Sequence, residues 1–295
     1  MKTEPAKHIL QSVKSSPEFF PRDYNMNLYR GCNHGCIYCD GRSACYRVSD
    51  FSAVRAKENA LVILESELKQ KKKPGIVGLG GMSDGYNPHE KTEELTRGAL
   101  KLLLKYGYGI GITTKGALVE RDIDLLSAIR ENSVSHVTFS ITCANDELSL
   151  FLEPGAPKTS LRFQAMEKLA SSGIPTGVWI NPVLPYLTDN SENILEIVRR
   201  TRDFGGKYAL SYFELTLREG NREYFYEALT KGGTDLARKY ASEYGNSYIL
   251  PARNIHALRR EFEAEAEKLN LLHTFPDVYE MLIKSGGMTQ LSFLS

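Results

Sequence analysis

Between about Tyr24 and Phe213, short runs rich in β-branched and aromatic residues alternate with longer stretches of helical period. The β-like runs are 24–30, 76–79, 109–114, 136–142, 177–181 and 208–213. Between them, apolar residues recur at intervals of three and four. They are Leu61, Leu64, Leu68; Leu95, Ala99, Leu102, Tyr106; Ile123, Leu126, Ile129; Phe163, Met166, Leu169; and Ile194, Ile197, Val198. Each set gives a helix one buried face. Strict alternation of strand and helix predicts an α/β fold with a parallel sheet and right-handed crossovers. Six units fit either an open doubly wound sheet or an incomplete barrel. Both bind ligands beyond the C-terminal ends of the strands, so chemistry is expected just after each strand.

After Phe213 the pattern turns to charged helices with no further clear strand. Ile255, Leu258, Phe262, Ala266 and Leu269 predict an amphipathic helix covering one end of the sheet. The chain therefore divides into an N-terminal segment 1–23, an α/β core 24–215 and a helical extension 216–295.

Composition narrows the function. The chain has 295 residues, 42% hydrophobic and 25% charged, an ordinary globular balance that excludes disorder and collagen-like repeats. With 37 basic against 36 acidic residues there is no global attraction to polyanions, so nucleic-acid binding needs a local basic patch. No apolar run approaches the ~18 to 20 residues of a membrane span, and the N-terminus lacks a signal peptide's continuous apolar stretch. A soluble, cytoplasmic protein with no membrane partner is expected. Five cysteines are too few for a disulfide scaffold, and three lie between positions 32 and 39, which in a reducing compartment points to metal binding or catalysis.

The first β-like run leads into Arg30-Gly31-Cys32-Asn33-His34-Gly35-Cys36-Ile37-Tyr38-Cys39-Asp40. Structural zinc usually takes four ligands, and no second Cys pair is present. A three-thiolate set leaves one metal position open. On a [4Fe-4S] cluster, normally held by four thiolates, an open iron can bind a cofactor or substrate.

Cys-x3-Cys-x2-Cys after the first strand of a βα repeat, with an aromatic before the last Cys, resembles the radical S-adenosylmethionine (SAM) superfamily. The similarity is greatest to the branch of spore photoproduct lyase and related DNA repair photolyase proteins. Its local matches are Tyr29-Arg30-Gly31-Cys32, the segment from Met82 to Pro88, Thr114-Lys115, the stretch from Phe139 to Thr142, and Glu153-Pro154-Gly155-Ala156-Pro157 followed by Arg162. The resemblance implies a partial (β/α)6 TIM-like barrel in which Cys32, Cys36 and Cys39 hold a [4Fe-4S] cluster. It further implies reductive cleavage of SAM to a 5′-deoxyadenosyl radical, and a reductant such as flavodoxin or ferredoxin. Tyr38 would lie near the SAM adenine. Gly80 and Gly81 would receive the amino group, although the acidic residue usual after such glycines is absent. Lys115 and Ser140 would contact carboxylate and ribose, Asn181 the adenosine, and Arg162 the methionyl carboxylate. Asp84 and Tyr86 would point into the barrel mouth toward the substrate, although Asn87 and Glu90 in the same turn also read as a capping box.

The sequence departs from the lyase at one point. The lyase's hydrogen-donating cysteine aligns with Gly81, so that reaction is not carried over. Cys143, after the fourth β-like run, is an alternative donor or a buried packing residue, and Cys45 reads as packing. Near the C-terminus Gln290-Leu291-Ser292-Phe293-Leu294 is similar to peptides that dock on the bacterial sliding clamp. The resulting expectation is a radical SAM enzyme, possible substrates being nucleic acid or, alternatively, a peptide or metabolite. A non-enzymatic Fe-S or zinc protein recruited to DNA complexes is the reading from another class.

Overall fold

The computed structural model describes residues 1–286; the clamp-like segment Gln290 to Leu294 lies outside them. Seven strands form the principal sheet: β1 (Leu10–Ser12), β2 (Tyr24–Met26), β3 (Ile76–Leu79), β4 (Gly109–Thr114), β5 (Ser135–Ser140), β6 (Thr176–Trp179) and β7 (Tyr208–Leu210). Their spatial order equals their chain order, and β2 to β7 are all parallel. A doubly wound sheet reverses its strand order at a switch point. This one never reverses, which decides for the partial barrel. β1 joins β2 antiparallel at one edge, and β7 is the other.

The helices between the strands are Ala60–Gln70, Leu95–Lys105, Ile123–Arg130, Thr159–Ser171 and Ser191–Asp203. The last two bury the apolar faces read from their period, Phe163, Met166 and Leu169, and Ile194, Ile197 and Val198, and the first and third bury theirs except for half-buried Leu61 and Ile123. Leu95–Lys105 is rotated from the expected face: it buries Thr96, Ala99, Leu100 and Leu103 and leaves Leu95, Leu102 and Tyr106 half-buried. Inside the barrel, small residues oppose large ones. A Cβ on Gly111 would approach His136 Nε2 to 2.5 Å, and one on Gly177 would overlap the Tyr208 ring. Tyr208 in turn shares a 2.6 Å hydrogen bond with Thr138.

Two expectations are corrected. The run 24–30 is two strands, because after Met26 the chain leaves the barrel and Tyr29–Arg30 pairs with Arg55–Lys57, itself beside Lys2–Glu4. The region after Phe213 contains strands, Glu214–Thr216 paired antiparallel with Ile249–Pro251, each too short to register a period. The amphipathic helix Ile255–Lys268 packs on Ser191–Asp203, with Arg199 Nε 2.6 Å from Glu265, and its Phe262 ring lies edge-on to Phe213, just past the last strand, at 5.3 Å. The remaining C-terminal helices are Asn221–Lys231, Leu236–Tyr244 and Phe275–Ser285. Val278 and Leu282 of the last pack with Phe20, Tyr208 and Leu210 beside the open edge. Among the described residues no helix is long and apolar enough to cross a membrane.

Candidate functional site

A cavity of about 450 Å³ opens at the C-terminal ends of the strands. Cys32, Cys36 and Cys39 line it together with Tyr38, Gly80, Gly81, Asp84, Lys115, Ser140 and Asn181. Residues that lie up to 149 positions apart in the chain therefore share one wall because every parallel strand ends at the same rim.

The cysteine loop is held by backbone bonds from two directions. Cys32 N donates to Phe51 O at 2.8 Å, while Gly155 N donates to His34 O at 2.8 Å and Ile37 N to Leu152 O at 2.9 Å. Gly31 takes φ 80°, and a Cβ there would meet Phe51 O at 2.5 Å, so this approach requires glycine. All three cysteines are free thiols. Burial raises the pKa of Cys36 and Cys39, the latter also through Cys32; for Cys32 burial acts the same way, but hydrogen bonding and charge from His34 overcome it and lower the pKa.

Under the loop lies a buried ionic cluster. Glu153 is 1% exposed and accepts hydrogen bonds from the Tyr38 hydroxyl and Arg162 Nη2, with Lys115 Nζ at 4.0 Å. Burial pushes its pKa up, but Arg162 and Lys115 reverse this and leave it lowered. Lys115 also sits 5.7 Å from the Tyr38 ring centre. Beside it Asp84 accepts from Thr114 Oγ1 at 2.6 Å and Lys115 N at 2.8 Å, and lies 3.4 Å from His34 Nδ1. Burial opposes protonation of His34, yet the Asp84 charge carries its pKa up to about 10.

Three expected residues do not face the cavity. Arg162 is fully buried, bonding Pro157 O at 2.8 Å, Ser140 O at 3.0 Å and Glu153; its fork is occupied by protein acceptors rather than left for a ligand carboxylate. Tyr86 turns the other way, its hydroxyl donating to Asp122 at 3.0 Å. Cys143 lines a separate groove and donates to Asn145 O at 3.4 Å, with burial pushing its pKa up to about 11. Nor does Glu90 close a capping box. It is 0% exposed and accepts from Tyr29, the Thr96 amide and Arg121.

The cavity wall also includes residues that the sequence pattern did not reveal: His34, Tyr46, Trp179, Tyr212, Glu214 and Tyr248. Only His34 had a local signal, its place between two cysteines. Tyr46 follows the cysteine loop, Trp179 and Tyr212 lie within the fifth and sixth strand-like runs, where they read as ordinary strand residues, and Glu214 and Tyr248 belong to or adjoin the missed strand pair.

A sequentially ordered parallel partial barrel, with three free thiols on a loop at its C-terminal rim, is the architecture of an enzyme that seats a metal cluster and a cofactor at the strand ends. The Radical SAM superfamily profile matches residues 26–201, and the chain belongs to that superfamily. Membership implies SAM and an iron-sulfur cluster. The chain is 29% identical to the uncharacterized protein Rv2578c of Mycobacterium tuberculosis over 81% of this chain and 72% of that one. It is 32% identical to the uncharacterized protein MJ0683 of Methanocaldococcus jannaschii over 68% and 73%. Among solved structures, spore photoproduct lyase complexed with dinucleoside spore photoproduct is similar in fold, with TM-score 0.62 and 17% identity over 88% of this chain and 80% of that one. The radical SAM methyltransferase TsrM of Kitasatospora setae gives 0.56 and 11%, over 90% and 62%.

Proposed function

We propose that Cys32, Cys36 and Cys39 hold a [4Fe-4S] cluster and that the enzyme abstracts hydrogen from a nucleic-acid substrate. The observation that carries the metal assignment is the donor set itself, three free thiols lining one cavity at the strand ends. A single zinc ion would require sulfurs converging to about 4 Å of one another. Among the described residues no three Cys, His, Asp or Glu side chains converge in that way, whereas a cluster takes each thiolate on a different iron. With SAM bound, the cluster supplies one-electron reductive cleavage to methionine and a 5′-deoxyadenosyl radical.

The chain's own groups provide the binding frame. Lys115 presents a cation at the cavity wall for the methionyl carboxylate, its charge kept by Glu153 behind it. Tyr38, fixed by Glu153 and by Thr142 at 3.0 Å, offers a ring face at the adenine position. Ser140 and Asn181 make no side-chain hydrogen bonds among the described residues and remain free for ribose and adenine. Gly80 and Gly81 bring bare backbone to the same wall.

Support for nucleic acid comes from the rim. Arg218 lies 4.6 Å over Tyr248 and 5.9 Å over Tyr46, both cavity-lining, and Arg42 lies 4.0 Å over Tyr224. Tyr46 and Met82 also line a second groove that continues to Arg30 and Lys57. Interleaved cations and aromatic faces suit a phosphate backbone with unstacked bases. Anaerobic reconstitution tests the reading. A reducible cluster that disappears in Cys36→Ala and 5′-deoxyadenosine formation from SAM are expected, with deuterium transfer from labelled oligonucleotides into 5′-deoxyadenosine identifying the substrate. A colourless protein holding one zinc through these thiols would refute it.

A further inference from the structure

On the cavity wall supplied by the last strands, the polar inventory is unbalanced. Glu214 lines the cavity, is part-buried and has no side-chain hydrogen bond or ion pair among the described residues. Burial raises the pKa of its carboxyl, and the Arg259 charge offsets this only in part. Its oxygens are open to the cavity and not committed to any protein donor among the described residues, so they are available to a donor edge that a ligand brings. Two aromatic rings, Trp179 and Tyr212, line the same cavity. Trp179 stands edge-on to Tyr212, centroids 5.9 Å apart at 78°, and Tyr212 is stacked on Phe275 at 5.2 Å and 24°. Phe19 and Phe20 pack edge-on against the Trp179 indole, at 5.6 and 5.9 Å. These contacts fix both rings while Tyr212 stays 37% exposed. A rigid aromatic platform beside an acceptor-only group selects a flat ring that donates in its own plane.

We propose that Trp179, Tyr212 and Glu214 form a substrate subsite for a planar heteroaromatic base whose edge donates two N–H hydrogen bonds to the carboxylate, the edge guanine presents. The inference rests on the nucleic-acid reading and deepens it. A guanidinium side chain offers a similar donor edge, but Arg218 and Arg42 at the same rim disfavour a cationic peptide.

The chain has a single tryptophan, Trp179, so its fluorescence reports occupancy of this wall. The probes are an eight-nucleotide thymine strand carrying one central guanine and the all-thymine strand, titrated into reconstituted enzyme saturated with SAM. The guanine strand should bind about tenfold more tightly or better, the difference a charge-assisted hydrogen-bond pair gives. Glu214→Gln should erase that preference while leaving thymine binding alone, and Tyr212→Leu should weaken both strands together. Equal binding of the two strands by wild type, or a preference that persists in Glu214→Gln, would overturn the subsite. So would a loss of SAM affinity in Glu214→Gln, which would assign the carboxylate to the cofactor, or a preference for an arginine peptide over both strands. Formation of 5′-deoxyadenosine is scored separately. Its absence in wild type counts against the radical reaction, whereas the strand titration decides the base subsite.

Discussion

Glu153 sits among two cations and a phenol with almost no water. Removing one partner of such a buried pair leaves a charge uncompensated, which costs about 3–5 kcal/mol. Arg162→Met is expected to lower stability by about that much in urea unfolding. Adding Glu153→Gln should restore part of the loss, because the double variant leaves no unpaired carboxylate. His136 gives a second residue-scale prediction. Both its ring nitrogens are buried without partners, and burial alone takes its pKa down to about 3. The unfolded chain takes up a proton near pH 6.5 that the folded chain refuses, so stability falls as pH drops from about 6.5 toward 3, by up to about 1.4 kcal/mol per unit. His136→Gln should flatten unfolding free energy against pH in that range. The cysteine ligand set was legible in sequence because its spacing is local. Glu153 and Arg162 were visible only as parts of a motif, since their chemistry depends on Tyr38, 115 positions from Glu153.

The six-unit alternation was readable because each helix carries its own buried stripe, and β3 and β4 match the expected runs residue for residue. Other strands end earlier than the pattern suggests. Ile141, Thr142 and Ile180 remain buried and strand-like in composition beyond the strand ends, the amides of Ile141 and Ile180 still donating to Trp179 O and Leu210 O where the chain turns to build the rim. The turn after β3 shows how element geometry shapes the site. Gly80 has φ 103°, and a Cβ there would overlap the Thr113 carbonyl oxygen, whereas a Cβ on Gly81 has no protein atom within 4 Å. Gly80→Ala should therefore unfold at lower urea, with a cost on the order of 1–3 kcal/mol from backbone strain. Gly81→Ala should leave unfolding unchanged. If the Gly81 backbone receives the SAM amino group, the added methyl intrudes on ligand space alone, and calorimetry should show weaker SAM binding with the fold intact.

At the scale of the whole molecule, a formal charge of +1 conceals how the charges are arranged. Asp122, Glu90, Arg97 and Arg121 neutralise one another on the barrel's flank, away from the cavity. Around the mouth, by contrast, Arg47 is exposed, and Arg42 and Arg218 lie on aromatic faces rather than being spent wholly on carboxylates. Arg30 joins them through the Arg47 carbonyl at 3.2 Å. No count of charged residues could reveal this patch, because the tertiary fold brings Arg218 beside a loop more than 170 positions earlier. If the four guanidinium groups each displace one counterion from a single strand, log affinity should fall with log salt at a slope of about −3. Raising salt from 50 to 200 mM then weakens binding about fiftyfold. Arg42→Gln should reduce the slope by about 0.7 for guanine-bearing and all-thymine strands alike, because a phosphate contact carries no base preference. A slope near zero would show that the rim does not follow a phosphate backbone. The substrate would then have to be small enough to enter the cavity without touching these arginines.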